Sequence, residues 1–480
     1  MSRYDVAVVG SGPGGSVAAL VLARAGARVA LVDKAAFPRD KACGDIVGPR
    51  GLQVLRDLGV PVPPGRDVGD ILVVGPTGRR VRLPCGEGLT YPGHGTAVTR
   101  RELDNSLHDK AVEEGATPIR DRVADPLWHE GRLDGFRLAG GEELRADFVI
   151  GADGATSQVA RSTGLTDEER ILWGFAVRTY MSCRVDLPAI VFWEPSPWRG
   201  FPGYGWVFPG ADGGANVGLG AATLSDRTAG AEVSRLFPQF LEHASRLGLV
   251  GDPSTSTAGR QLGGWLKMGM VGTSPAAGRA LLVGDAAGLV NPLQGEGIAQ
   301  AMGSGNLAAQ AILSETGDAA GLYRARLAAE HLPYHRVAAA IQRASVGRPH
   351  AVAATARFLV TIGHLGALAG GWSVFWNELL EGAPPNGHRA VARAITWAGT
   401  ASTAHTSTAR WFETALPMHA NGRRPARTGE TAAASGLRLG SGAGSGAASG
   451  SGSGAGSGGP AQRPQRREAD DERLEPPAPR

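Results

Sequence analysis

Residues 4–34 read YDVAVVGSGPGGSVAALVLARAGARVALVDK, and this stretch decides the fold. Val6 to Val9 make an unbroken apolar run of strand length, followed at once by Gly10, Gly12 and Gly15 at GxGxxG spacing. Ser16 to Ala25 carries the small and aliphatic residues of a buried helix, and Arg28 to Asp33 returns as a second strand. Each glycine has its own steric role. Gly10 permits a tight turn, Gly12 lets backbone approach a pyrophosphate, and Gly15 lets the helix lie close to the strand. The helix start presents unpaired N–H groups and a positive dipole end to phosphate oxygens. Asp33 closes the second strand 18 residues past Gly15 (33 − 15), where an acid can bind a ribose hydroxyl. A lone glycine motif is weak evidence. Strand, turn, helix, strand and acid in register predict a bound dinucleotide.

Working outward, further strand patterns lie at 70–75 (DILVVG), 147–153 (DFVIGAD), 215–220 (ANVGLG) and 279–288 (RALLVGDAAG), with a helical pattern at 101–116. Sheets alternating with helices are expected over the first 320 residues, and beyond Gly297 the pattern turns helical to about Ala415. This is an α/β chain, and 480 residues allow roughly three packing units at about 150 residues each. The net charge of 49 − 45 = +4 gives no nucleic-acid footprint. Cys43, Cys85 and Cys183 have no paired metal spacing and are too few for a disulfide framework, so no metal and a reducing cytoplasm are expected. The start MSRYDVAVVG lacks the basic, apolar and cleavage regions of a secretory signal and reads as part of the fold. Glycine is 72 of 480 residues, much of it between Gly436 and Pro460, and residues from about 420 onward read as a disordered tail. Phe358 to Asn377 holds no formally charged residue over 20 positions, but it includes His364 and four glycines. It reads as a helical cover or a membrane-surface element, with Trp372 and Trp376 at the interface, rather than a span.

Two distant segments decide which dinucleotide is bound. FVIGADGATSQVAR (148–161) places Asp153 and Gly154 at a strand end, and RALLVGDAAGLVNPLQGEGIAQAM (279–302) places Gly284 and Asp285 at another, with Pro292, Gly295 and Gly297 before a helix. An NAD-binding unit needs neither. Here the chain resembles the flavoprotein hydroxylase superfamily with a p-hydroxybenzoate-hydroxylase-like FAD fold. That resemblance implies that Asp153 and Asp285 belong to the FAD site, with Asp285 at the ribityl and pyrophosphate region. It also implies that the helix start at Gly295 and Gly297 donates N–H groups to the flavin ring, where its dipole stabilises negative charge.

AFPRDKACGD (36–45) and PGYGWVFPG (202–210) narrow the family. With GxGPGGS, the AVTRRELD segment carrying Arg100, ADGxxS and GDAAGxVNPLxGEGI, they make residues 1 to 320 resemble the geranylgeranyl reductase family, including actinobacterial enzymes that saturate menaquinone side chains. The family pattern has proline three residues before the tyrosine; here Phe201 stands there and Pro202 follows. The resemblance implies a Rossmann-like FAD-binding fold from 1–165 and 270–330, an inserted mixed β-sheet substrate domain at 166–269 and a helical C-terminal region at 331–419. The early DILVVG segment is a candidate for the inserted sheet. It further implies FAD, an isoprenoid or lipid-like substrate, and NAD(P)H or a reduced carrier as donor, although no second GxGxxG unit is present.

The residues themselves fit this reading. Tyr204, Trp206 and Phe208 alternate along a strand and so face one side, as a pocket wall or as ordinary sheet core. Cys43 is a loop residue near the flavin or a packing residue; Arg100 is an FAD contact or a helix-start charge; Arg39 and Lys41 are FAD contacts or surface cations. Reducing an isolated double bond requires a proton as cationic character develops on carbon. Cys43 and Tyr204, with reference pKa values of about 8.5 and 10, are the donor candidates, beside Trp206 as the third catalytic candidate. His94 is a further possibility against a satisfied loop histidine. The same fold also serves monooxygenases, the competing outcome, whereas YxWxFP departs from the WxWxIP of flavin halogenases.

Overall fold

The computed structural model describes residues 3–348, apart from 76–77, 79, 84–92, 185, 194–202, 225–226 and 315–316, and the isolated positions 350, 351, 354 and 397. Phe358–Asn377, the tail from 420, Cys85, Phe201 and Pro202 therefore lie outside the described residues, as does the helical run expected from Gly297 to Ala415 beyond position 348, save positions 350, 351, 354 and Trp397.

In chain order the strands are β1 (Tyr4–Val9), β2 (Val29–Asp33), β3 (Ile46–Val47), β4 (Arg66–Val68), β5 (Ile71–Val74), β6 (Arg80–Leu83), β7 (Gly95–Ala97), β8 (Thr117–Arg120) and β9 (Val123–His129). They continue as β10 (Arg132–Leu138), β11 (Glu143–Gly151), β12 (Leu172–Ser182), β13 (Ala189–Trp193), β14 (Gly203–Pro209), β15 (Gly214–Thr223), β16 (Thr257–Met268), β17 (Ala276–Ala277) and β18 (Ala280–Leu282). The helices are α1 (Pro13–Arg24), α2 (Pro49–Asp57), α3 (Arg100–Glu113), α4 (Gln158–Ser162), α5 (Ala229–Arg246), α6 (Ile298–Ile312) and α7 (Ala319–Gly347).

The first sheet runs β17-β18-β11-β1-β2-β8, with β10 and β9 added beside β11. Its centre is parallel: β1 pairs with β2 on one side and β11 on the other, and β11 pairs with β18. Such strands are buried on both faces, which explains why Val6–Val9 and Val29–Val32 read as continuous apolar runs. α1 begins earlier than the sequence pattern placed it, because Pro13 occupies the first helical turn, where its missing N–H costs nothing. α1 packs on α6 through bare backbone. A Cβ at Gly14 would lie 2.8 Å from the Ala301 carbonyl oxygen, and one at Gly305 would overlap the Gly14 carbonyl oxygen.

The second sheet runs β16-β12-β15-β14-β13-β5-β6 and is mixed, being antiparallel except where β13 pairs with β5. The DILVVG segment therefore joins this sheet, as expected. The expectation of helices alternating with strands fails between 117 and 223, where strands follow one another with only α4 between them. The 279–288 strand also ends at Leu282, after which Gly284–Ala287 forms a 3-10 turn. Gly284 there has a φ of 54°, a left-handed conformation that glycine adopts without strain.

α5 covers one face of this sheet. Phe237, Phe240 and Val233 bury against Val207, Val217 and Leu219, and a Cβ at Gly205 would stand 2.5 Å from the Phe240 ring. Strand periodicity then turns Tyr204, Trp206 and Phe208 to the opposite face. No helix among the described residues is long and apolar enough to cross a membrane.

Candidate active site

The uncovered face of the second sheet and the strand ends of the first enclose one cavity of 1410 Å³. It is lined by Gly10, Gly12, Asp33, Arg100, Asp153, Asp285, Gly295, Gly297, Cys43, Tyr204 and Trp206. Of the candidate site residues from the sequence, Gly15 and His94 are not among the lining. Gly15 lies beneath the cavity, where a Cβ would overlap the Gly10 carbonyl oxygen and sit 3.0 Å from Ala152 Cβ. The volume exceeds the roughly 300–1,000 Å³ of a single-ligand site, leaving room for a dinucleotide and an elongated apolar molecule together.

The cofactor end is built from helix starts and glycines. Gly12 caps α1 with no side-chain hydrogen bond, so the first N–H groups of the helix remain available to an anion. A Cβ at Gly12 would meet nothing closer than Arg39 Nη2 at 3.6 Å and Arg100 Nη2 at 4.0 Å. Backbone and two guanidinium groups thus face the same open space. Arg100 is buried and forms a two-point pair with Asp104, Nε to Oδ1 and Nη2 to Oδ2, each 2.7 Å. Burial opposes its charge, but Asp104 and Cys43 outweigh it and push its pKa up. Arg39 Nη1 reaches the same Asp104 carboxylate at 2.9 Å. Asp33 accepts N–H groups from Ser11 at 2.8 Å and Ala35 at 2.9 Å.

Gly297 caps α6, again with no side-chain bond, and Gly295 has a φ of 72°. Asp285 lies beside them with Lys41 Nζ at 4.0 Å. Asp153 accepts from Ser157 Oγ at 2.5 Å, Gln158 N at 2.7 Å and Val159 N at 3.1 Å, so its carboxylate holds the start of α4. These cradles, two helix starts without side-chain caps that share one cavity, fit an extended dinucleotide.

The aromatic wall differs from its sequence reading in one respect. Tyr204, Trp206 and Phe208 line the cavity as a set, with ring centroids 5.9 and 6.1 Å apart in succession. The Tyr204 hydroxyl, however, donates to the Gln294 carbonyl, and burial raises its pKa. Its proton is committed to the loop that leads into Gly295. Cys43 is half-buried, and its thiol is pushed up by burial against the opposing pull of Arg100, so it keeps its proton at neutral pH. His94 is not among the lining residues; its Nε2 stands 3.9 Å from Asp67 Oδ1.

Sequence reading passed over Asp45, Arg178, Tyr180 and Asn216. Arg178 is buried, pairs with Asp40, donates to the Lys41 carbonyl at 3.2 Å and stacks 4.4 Å over the Tyr180 ring. Asn216 accepts from Trp206 Nε1 at 2.9 Å and donates to Asp45 Oδ2 and the Cys43 carbonyl, each at 2.7 Å. The available signal was a polar residue inside an apolar strand, Asn216 in ANVGLG and Arg178 in FAVRTY.

With this geometry in place, comparisons with known proteins agree. A family model described as FAD binding domain matches residues 3–340. Menaquinone reductase of Mycolicibacterium smegmatis is 36% identical over 321 residues, covering 65% of this chain and 77% of that protein. Digeranylgeranylglycerophospholipid reductase 2 of Methanopyrus kandleri is 32% identical over 317 residues, covering 64% of this chain and 76% of that protein. Among solved structures, a geranylgeranyl bacteriochlorophyll reductase-like protein of Thermoplasma acidophilum has a TM-score of 0.64 at 22% identity, covering 86% of this chain and 99% of that one. The chain therefore belongs to the FAD-binding domain family, and within it to the geranylgeranyl reductase group of FAD-dependent oxidoreductases.

Proposed function

We propose that the chain reduces carbon–carbon double bonds of a prenyl chain, carried by a quinone or another lipid-like molecule. One observation carries this reading: a single cavity is lined by a glycine-rich cofactor cradle, the Cys43 thiol and an apolar aromatic wall. The relatives named as reductases of menaquinone and of a digeranylgeranyl lipid support the same substrate class.

In this reading Gly10, Gly12, Asp33, Arg100, Asp153, Asp285, Gly295 and Gly297 would hold FAD, with Gly15 seating α1 beneath it, and FAD in its reduced form would supply hydride. The work of the chain's other residues is separate. Trp206 and Phe208 exclude water and lay the prenyl chain along the second sheet. Tyr204 fixes the loop into Gly295 through the Gln294 carbonyl. Cys43 Sγ holds a proton in the cavity and delivers it to the carbon opposite the one receiving hydride. The two hydrogens added per bond are that proton and the hydride, and the thiolate is reprotonated from water. NAD(P)H or a reduced carrier is the proposed donor. A substrate dissolved in a membrane would be met at the cytoplasmic face, with the apolar segment Phe358–Asn377 as the proposed contact.

The test is anaerobic turnover of chemically reduced holoenzyme with a panel of prenyl lipids, read by mass spectrometry. A gain of two hydrogens per bond is expected. An oxygen-dependent gain of one oxygen atom without saturation would assign the chain to the monooxygenases instead.

A further inference from the structure

Cys43 sits in a turn whose shape is fixed from outside. Asp45 adopts a φ of 65°, left-handed backbone that few non-glycine residues hold without support. Four contacts impose it. The Tyr180 hydroxyl donates to Asp45 Oδ2 at 2.5 Å, and Asn216 Nδ2 donates to the same oxygen at 2.7 Å. Val98 N donates to the Asp45 carbonyl at 2.8 Å, and the Asp45 N–H points back at Cys43 Sγ, 3.4 Å away. Asn216 also holds the Cys43 carbonyl and the Trp206 indole, so thiol and aromatic wall share one anchor. Gly44 completes the fit: a Cβ there would press on Phe208 Cε2 at 3.2 Å.

We propose that Asp45 is a positioning residue for Cys43, its carboxyl clamped by Tyr180 and Asn216 so that the thiol and the Trp206 indole face the same point of the cavity. The role in catalysis rests on the reading of Cys43 as proton donor; the clamp itself does not. Glycine at 45 would keep the left-handed backbone and remove the clamp. Asparagine would keep both the acceptor oxygen and tolerance of that backbone.

The experiment compares Asp45→Gly and Asp45→Asn as FAD-loaded full-length enzymes. It follows alkylation of Cys43 by iodoacetamide, resolved from the other cysteines by peptide mass spectrometry, together with kcat and KM for the prenyl substrate. The groups facing the thiol are Arg100, Asp45 and Tyr204, so the buffer pH is held constant across variants. For Asp45→Gly, alkylation is expected to quicken about tenfold while kcat falls about a hundredfold, the scale of a misplacement near 1 Å, with KM little changed. Asp45→Asn is expected to restore most of both values. If Asp45→Gly leaves alkylation and kcat within twofold of wild type, or if Asp45→Asn is as impaired as Asp45→Gly, the proposal is overturned. Faster alkylation with unchanged kcat upholds the clamp and removes Cys43 from proton transfer, which is failure of the functional reading alone. Tyr180→Phe, which leaves the turn's backbone untouched, carries the same readouts if Asp45→Gly does not retain FAD.

Discussion

Two alanine substitutions in one glycine loop should fail in different ways. At Gly12 an added methyl meets no protein atom within 3.6 Å, so the fold should accept Gly12→Ala. The methyl would instead occupy the cavity beside the start of α1, where a pyrophosphate must approach the N–H groups. One charge-assisted hydrogen bond is worth about 1.5–3 kcal/mol, so losing one should weaken FAD binding about ten- to a hundredfold. At Gly15 the methyl would overlap the Gly10 carbonyl oxygen, a backbone atom that cannot swing aside. Gly15→Ala should therefore destabilise the protein even without cofactor, by about 1–3 kcal/mol, the cost of overpacking. The assay pairs FAD titration of the apoprotein by flavin fluorescence with urea unfolding of each variant. A Gly12→Ala protein that binds FAD as wild type does, or that unfolds as readily as Gly15→Ala, would refute the assignment of separate roles to the two glycines.

Tyr204→Phe removes one hydrogen bond to the Gln294 carbonyl and should weaken FAD binding about fivefold, about 1 kcal/mol, with the solvent isotope effect on reduction unchanged; a lost isotope effect would return Tyr204 to the donor role. Gly218→Val should displace the Trp206 indole, which a Cβ at 218 would overlap, and lower both stability, by about 1–3 kcal/mol, and saturation rate. Unfolding curves and turnover check it. Lys267 is buried, and burial lowers its pKa to about 8 from 10.5. Between those values the unfolded chain binds the extra proton, so stability rises as pH climbs through that window. Urea unfolding of wild type against Lys267→Met should show wild type gaining up to about 3 kcal/mol relative to the variant from pH 7 to pH 10; parallel curves would contradict this.

The cofactor half of the site was legible because its residues are dictated locally. Gly10, Gly12 and Gly15 are fixed by sterics within one β-turn-α unit, and a motif of six residues carries them. The alternation of Tyr204, Trp206 and Phe208 was equally local, since period two decides which face each meets. What the sequence did not reveal depends on partners far along the chain. Tyr204 reads as a possible acid until the carbonyl of Gln294, 90 residues later, accepts its hydrogen bond. Asn216 reads as one polar residue in an apolar strand until Cys43, Asp45 and Trp206 converge on it. Strand-rich stretches from 117 to 223 misled for a related reason: β8, β11 and β13 pair with β2, β1 and β5, far earlier in the chain, and no local pattern names those partners.

The bare contact between Gly14 and Gly305 bears on the order in which this molecule can be made. The two residues are 291 positions apart (305 − 14), yet their helices carry the two starts that face the one cavity. During synthesis the amino-terminal β-turn-α unit must wait, half finished, while all of the second sheet is produced. Cofactor capture is thus a late event, closed only when the second helix docks. Nascent chains halted before Gly305 should emerge without colour, however complete their glycine motif.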